Sequence, residues 1–143
     1  MIIGEYSQKI SEKNRTAFPG KFREELGSKL VITKGYEGCL VIMSPAQWEE
    51  MVSDNVSGPF VSELIRDTRR FLLGGASEID LDPQGRFVIP AYLKTYSGLI
   101  EEAVYVGLGT WVELWSRENW DEKRKDVESR SSVIGEKLSK TNG

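Results

Sequence analysis

Ile79-Asp80-Leu81-Asp82-Pro83-Gln84-Gly85-Arg86-Phe87-Val88-Ile89-Pro90 is the stretch from which the rest of the chain can be read. Ile79 and Leu81 alternate with Asp80 and Asp82, the period of two expected of a half-buried strand, and Arg86-Phe87-Val88-Ile89 resumes it. Between them Asp82 stands at the first corner of a turn, Pro83 where a φ of about −65° is wanted, and Gly85 at the fourth position. The stretch predicts strand, type I turn with a left-handed exit, and a second strand opening on arginine.

The chain says this twice. Gly4 to Gly27 and Gly75 to Gly98 align at a constant offset of 71, with Ser11-Glu12-Lys13-Asn14-Arg15 answering Asp82-Pro83-Gln84-Gly85-Arg86. Phe18 matches Ile89, Pro19 matches Pro90, and Arg23 matches Lys94. After one inserted residue the offset becomes 72, and Gly35, Ser44 and Trp48 answer Gly107, Ser116 and Trp120. A duplicated unit of roughly 50 residues implies two copies sharing one core about a pseudo-twofold axis. In the first copy Ser11 can bond back to its own turn, and Asn14 is the non-glycine residue that best tolerates positive φ.

Outward from the turns, short helices are predicted from Pro19 to Leu26 and from Pro90 to Ser97, with glycine just beyond each end. Strand pairs follow over Leu30–Thr33 with Cys39–Met43 and over Ala103–Val106 with Trp111–Trp115, turning at Gly35–Gly38 and Gly107–Gly109. Ser44 and Ser116 then cap a closing helix in each copy. A linking helix is expected to open at Gly58-Pro59 and run to Leu73 with Val61, Leu64, Ile65, Phe71 and Leu72 on one side. Residues 1–56 form the first repeat, 57–74 the linking helix, and 75–143 the second repeat with a charged C-terminal helix, fraying over Ser139–Gly143. All belong to one compact structural domain of α+β class.

Composition narrows the function. The absence of histidine removes the commonest general base and metal ligand, and the single Cys39 lies in an apolar run, which predicts a buried thiol and excludes an internal disulfide. No enzyme and no cofactor are expected. Met1 to Glu5 lacks the basic flank of a targeting segment, and no apolar run approaches the roughly 20 residues that span a bilayer, so a cytoplasmic protein is expected. The net charge of −3 is unevenly spread. Residues 1–35 carry seven basic against four acidic side chains, a net of +3, whereas residues 75–122 carry three against nine, a net of −6. An anionic partner suits the first region and subunit contacts the second.

The duplicated Asp-x-x-x-Arg motif, the repeated strand and helix order and the linking segment Arg69-Arg70-Phe71-Leu72-Leu73-Gly74-Gly75-Ala76 resemble the MraZ family of the SpoVT-AbrB swapped-hairpin group. The resemblance implies a pseudo-twofold duplicated β-barrel of swapped-hairpin, AbrB-like type. It implies a nucleoid-associated regulator, a repressor of a division and cell-wall gene cluster, that binds double-stranded DNA at short promoter repeats as a ring of identical subunits. No membrane and no small-molecule substrate enter. The DNA-contacting candidates are Arg15, Lys13, Lys9, Asn14, Arg86 and Gln84, with Ser11, Asp82 and Gly85 shaping the turns.

The first copy departs from the family pattern in having Ser11 for Asp and Asn14 for Gly. A carboxylate four positions before the arginine can hold its guanidinium as a bidentate pair, so Asp82 is expected to tie up Arg86 while Arg15 is left for phosphate or a guanine edge. Lys21 and Arg23 read as an ordinary solvated helix face, and Arg66, Arg69 and Arg70 as either a phosphate stripe or pairing within their own helix. The four tryptophans read as core or interface packing. Two other classes compete: an assembly module that binds protein with no specific DNA target, and an enzyme using Asp80 and Asp82 as paired carboxylates, for which no base or nucleophile is present.

Overall fold

The computed structural model describes residues 1–142. The elements in chain order are β1 (Ile2–Lys9), β2 (Arg15–Ala17), α1 (Gly20–Leu26), β3 (Lys29–Lys34), a 3-10 turn (Tyr36–Gly38), β4 (Leu40–Met43) and α2 (Pro45–Asn55). Then come α3 (Glu63–Leu72), β5 (Ser77–Asp80), β6 (Arg86–Val88), α4 (Ala91–Ser97), β7 (Glu102–Gly109), β8 (Val112–Ser116), α5 (Arg117–Ser129) and α6 (Ser131–Asn142).

The two turns form as their residues dictate. Asn14 N–H donates to Ser11 O at 2.9 Å and Gly85 N–H to Asp82 O at 2.8 Å, with Asn14 at φ 61° and Gly85 at φ 79°. The flanking strands then part company. The hairpin expected within each copy is replaced by pairing between copies: β1 with β7, β5 with β3, and β2 with β6. A side-chain period of two fixes which face a strand buries but not which neighbour it takes.

One antiparallel sheet runs β1-β7-β8-β4-β3-β5, and a second contains only β2 and β6. Exchanging the copies turns the order of the larger sheet into itself, so the pseudo-twofold axis passes between β4 and β8 and between β2 and β6. The larger sheet is open, with β1 and β5 at its edges, which corrects the closed barrel of the sequence reading. β2 and β6 are three residues each and spend their ladder on one another, so they do not bridge those edges.

Both copies fill one core, in which Phe18, Phe22, Leu30 and Ile32 of the first pack with Ile89, Leu93, Tyr105 and Leu114 of the second. Burying each such side chain contributes about 1.5–3 kcal/mol. The Tyr105 hydroxyl, fully buried, donates to Thr16 Oγ1 at 3.2 Å and so ties β7 to β2. Gly107 lies inside β7, and the turn to β8 comes later, closed by Leu108 N–H to Trp111 O at 2.9 Å. A Cβ at Gly107 would lie 2.8 Å from the backbone of Ile2 and Ile3, which explains the glycine by the closeness of β1 rather than by a turn.

Ser44 and Ser116 cap α2 and α5, accepting from Gln47 N–H and Asn119 N–H. α3 starts later than Gly58-Pro59 suggests, because Ser62 supplies the cap, accepting from Ile65 N–H at 3.3 Å. Its last turn is anchored to both copies: Phe71 stacks on Tyr36 and meets Tyr96 edge-on, and Thr33 Oγ1 donates to Leu72 O at 2.5 Å. Trp115 is buried with Trp120 against it, whereas Trp111 is 38 % exposed. α6 continues through the segment expected to fray, as far as Asn142; Gly143 lies outside the described residues. Cys39 is a buried free thiol, and burial pushes its pKa up to about 12. Among the described residues no helix is long and apolar enough to cross a membrane.

Candidate nucleic-acid interface

The register of the small ribbon decides the site. Arg15 stands opposite Val88, Thr16 opposite Phe87, and Ala17 opposite Arg86. Alternation sends Thr16 and Phe87 into the core and leaves Arg15, Ala17, Arg86 and Val88 on the outer face. The two motif arginines are therefore diagonal neighbours, about 7–8 Å apart in a ladder of this kind. Their turns lie at opposite ends of the ribbon, since its strands are antiparallel.

The turns hold their arginines differently. Arg15 N–H donates to Ser11 Oγ at 3.1 Å, while the guanidinium of Arg15 and the ammonium of Lys13 have no hydrogen bond or ion pair among the described residues. In the second turn Asp82 Oδ1 accepts from the backbone N–H of Gln84 at 2.9 Å and of Arg86 at 2.8 Å. Only Oδ2 remains for the side chain, and it accepts from Arg86 Nε at 2.9 Å. The expected bidentate grip is thus a bond to one guanidinium nitrogen, because the backbone takes the other oxygen. The Arg86 backbone N–H, with smaller contributions from its side chain and from Gln84 N–H, holds the Asp82 carboxyl below its usual pKa.

Each turn is also braced by the other copy. Lys94 Nζ, on α4, donates to Asn14 Oδ1 at 2.6 Å. Arg23, on α1, lies across Gly85 so closely that a Cβ there would be 2.2 Å from its Nη1. Ile89 N–H donates to Asn14 O and Phe18 N–H to Gly85 O, each at 2.8 Å. Asn14 and Gly85 are equivalent positions, as are Lys94 and Arg23, so these are two halves of one symmetric arrangement. The reading of Arg23 as a solvated face is corrected: it is half-buried and carries its charge to the second turn. The sequence signal was its alignment with Lys94, which marks a shared position without saying what it touches. Lys21 remains exposed.

The other candidates lie around this centre. Gln84 is exposed beside Gly85. Lys9 is exposed at the end of β1, in register with Glu102, whose carboxylate is engaged by Ser7 and by Arg117 at 3.1 Å. Of the α3 arginines, Arg66 donates to Phe60 O, Arg69 to Val56 O, and Arg70 to Asp67, all within α3 and the segment before it. Asp80 stands 3.9 Å from Lys29, and Asp82 is filled by its own turn, so these two do not form a paired-carboxylate centre. Among the described residues no group of three or more acidic, cysteine or histidine side chains is arranged to hold a metal.

A family model described as "MraZ protein, putative antitoxin-like" matches residues 1–71 and again 72–137. A protein of Moorella thermoacetica named "Transcriptional regulator MraZ" is 41 % identical over 138 residues, 96 % of each chain. Proteins of the same name from Syntrophomonas wolfei and Caldanaerobacter subterraneus are 39 % identical over 138 residues, 96 % of each chain, and 37 % identical over 142 residues, 99 % of each chain. With the family model matching once in each half and relatives aligned almost end to end, the chain belongs to the MraZ family.

Proposed function

We propose that this chain is a sequence-specific DNA-binding transcriptional regulator that meets double-stranded DNA with the outer face of the β2–β6 ribbon. The observation that carries the reading is the convergence of Arg15 and Arg86, remote in sequence, on one exposed face. Arg15 and Lys13, without acidic partners among the described residues, are the main contacts; Arg86, tethered to Asp82, is partly structural. Lys94 and Arg23 add positive charge beside the two turns. The exchange of strands between copies supports the swapped-hairpin, AbrB-like reading.

Two arginines and a few lysines give a single subunit weak binding at cellular salt. We infer a ring of subunits on short promoter repeats, where linked contacts raise avidity by roughly 100- to 10,000-fold, repressing a division and cell-wall gene cluster in the cytoplasm at the nucleoid. Fluorescence anisotropy on DNA carrying one, two and three repeats tests this, with affinity rising at each step; equal affinity for all three would exclude avidity. At one salt concentration Arg15→Ala is expected to abolish specific binding and Arg86→Ala to weaken it, and the reverse order would overturn the assignment of roles. The acidic second copy favours a second reading, an assembly module without a specific DNA target, which an affinity independent of salt would support.

A further inference from the structure

The segment leading into α3 holds its largest apolar side chains in solvent. Phe60 is 85 % exposed, Val61 82 % and Leu64 77 %. Arg66 Nη1 bonds Phe60 O at 3.0 Å, Arg69 Nη1 bonds Val56 O at 2.8 Å, and Ser62 caps the helix. Phe60, Val61 and Leu64 therefore stand on a pinned segment, a fixed apolar knob. The knob is flanked by Arg66, Arg69 and Arg70 against Glu63 and Asp67, a net positive surround.

A cleft of about 390 Å³ lies between α2, β4, the β7–β8 turn and the far end of α3. Met43, Met51, Leu72 and Trp111 give it an apolar lining, and Glu50, Asp54 and Glu113 give it an acidic rim, beside Glu37, which is paired with Lys123. The one basic lining residue, Lys34, has its ammonium 5.9 and 5.6 Å from the ring centres of Phe71 and Tyr96. Apolar lining with a negative rim is the complement of an apolar knob with a positive surround. The chain's own knob is poorly placed to fill the cleft at its apolar lining, because Leu72 at the end of α3 belongs to that lining and the helical rise sets Leu64 about 12 Å away from it.

We propose that the Phe60–Val61–Leu64 knob of one copy seats in the acid-rimmed cleft of a second copy, with the α3 arginines against Glu50 and Asp54. The two patches are different surfaces of one chain, so the contact is head-to-tail and either closes into a ring or runs on as a filament. It names the interface that the ring reading above needs, and rests on that reading only for closure.

Light scattering on the size-excluded full chain, without DNA, tests the contact. Phe60→Asp with Leu64→Asp breaks the knob, and Glu50→Lys with Asp54→Lys breaks the cleft; all four positions are exposed. Each double variant, with wild-type far-UV circular dichroism, is expected at monomer mass. Mixed one to one they are expected to form a dimer and nothing larger, since the pair retains one intact knob and one intact cleft. Milder Phe60→Ala with Leu64→Ala is expected to weaken assembly at least tenfold. Unchanged mass for either double variant, or no dimer in the mixture, overturns the contact while leaving a ring possible through other surfaces. A monomeric wild type overturns both.

Discussion

Ser11 and Asp82 occupy the same corner of equivalent turns and leave the arginine four residues on in different states. Ser11 Oγ accepts the Arg15 backbone N–H and, among the described residues, nothing from its side chain, whereas Asp82 binds backbone and side chain together. Ser11→Asp should tether Arg15 as Arg86 is tethered. The expected outcome is weaker DNA binding and a plot of log affinity against log salt shallower by about one phosphate contact, read by anisotropy across a salt series. A second prediction concerns pH. The folded Asp82 carboxyl titrates below its ordinary value of 3.8, so its contribution to stability is present above that value and is lost as pH falls through the lowered folded pKa. Thermal melts of wild type and Asp82→Asn should differ most near neutral pH and converge as pH drops below 3.8. A gap that stays constant would mean that the carboxylate's bonds do not stabilise the turn.

At the scale of elements, the approach of β1 to β7 gives the sharpest forecast. Gly107→Ala drives a methyl into the backbone of Ile2 and Ile3 and should cost about 1–3 kcal/mol in urea unfolding. Gly135 in α6 faces open space, so Gly135→Ala should instead raise stability or helicity by roughly 0.5–1 kcal/mol. Opposite signs for two Gly→Ala changes would separate packing from helix propensity. The same contrast shows what was legible in the sequence. The corners of both turns, the serine caps and the short helices could be placed because Pro, Gly, Asn and Ser act on their own backbone within a few residues. The partners of β2 and β6 could not, since Arg-Thr-Ala and Arg-Phe-Val carry a face preference but no address. For the same reason Arg15 and Arg86 could be named as candidates from their motifs but not brought together. The Lys94 bond to Asn14 and the position of Arg23 over Gly85 depend on that pairing too, and stayed hidden with it.

At the scale of the whole molecule, pairing between copies means that neither half completes its own sheet. Without residues 74–143, β1 loses β7, β2 loses β6, and β3 keeps only β4. Phe18, Phe22, Leu30 and Ile32 would face water where Ile89, Leu93, Tyr105 and Leu114 now lie. The loss of burial for those four side chains, each contributing about 1.5–3 kcal/mol, is comparable to the whole net stability of an ordinary domain, about 5–15 kcal/mol. Residues 1–73 and 74–143 made as separate chains should therefore each lack a cooperative thermal transition. Mixed together they should recover one, with the near-ultraviolet circular dichroism of Trp115 and Tyr105 returning at one-to-one stoichiometry. Recovery tests the strand exchange directly, because two self-contained repeats would fold before mixing and gain nothing from it. A half that melted cooperatively as a monomer would show that its strands can find partners within their own repeat, and the shared ribbon that sets Arg15 beside Arg86 would then be a consequence of docking rather than of folding.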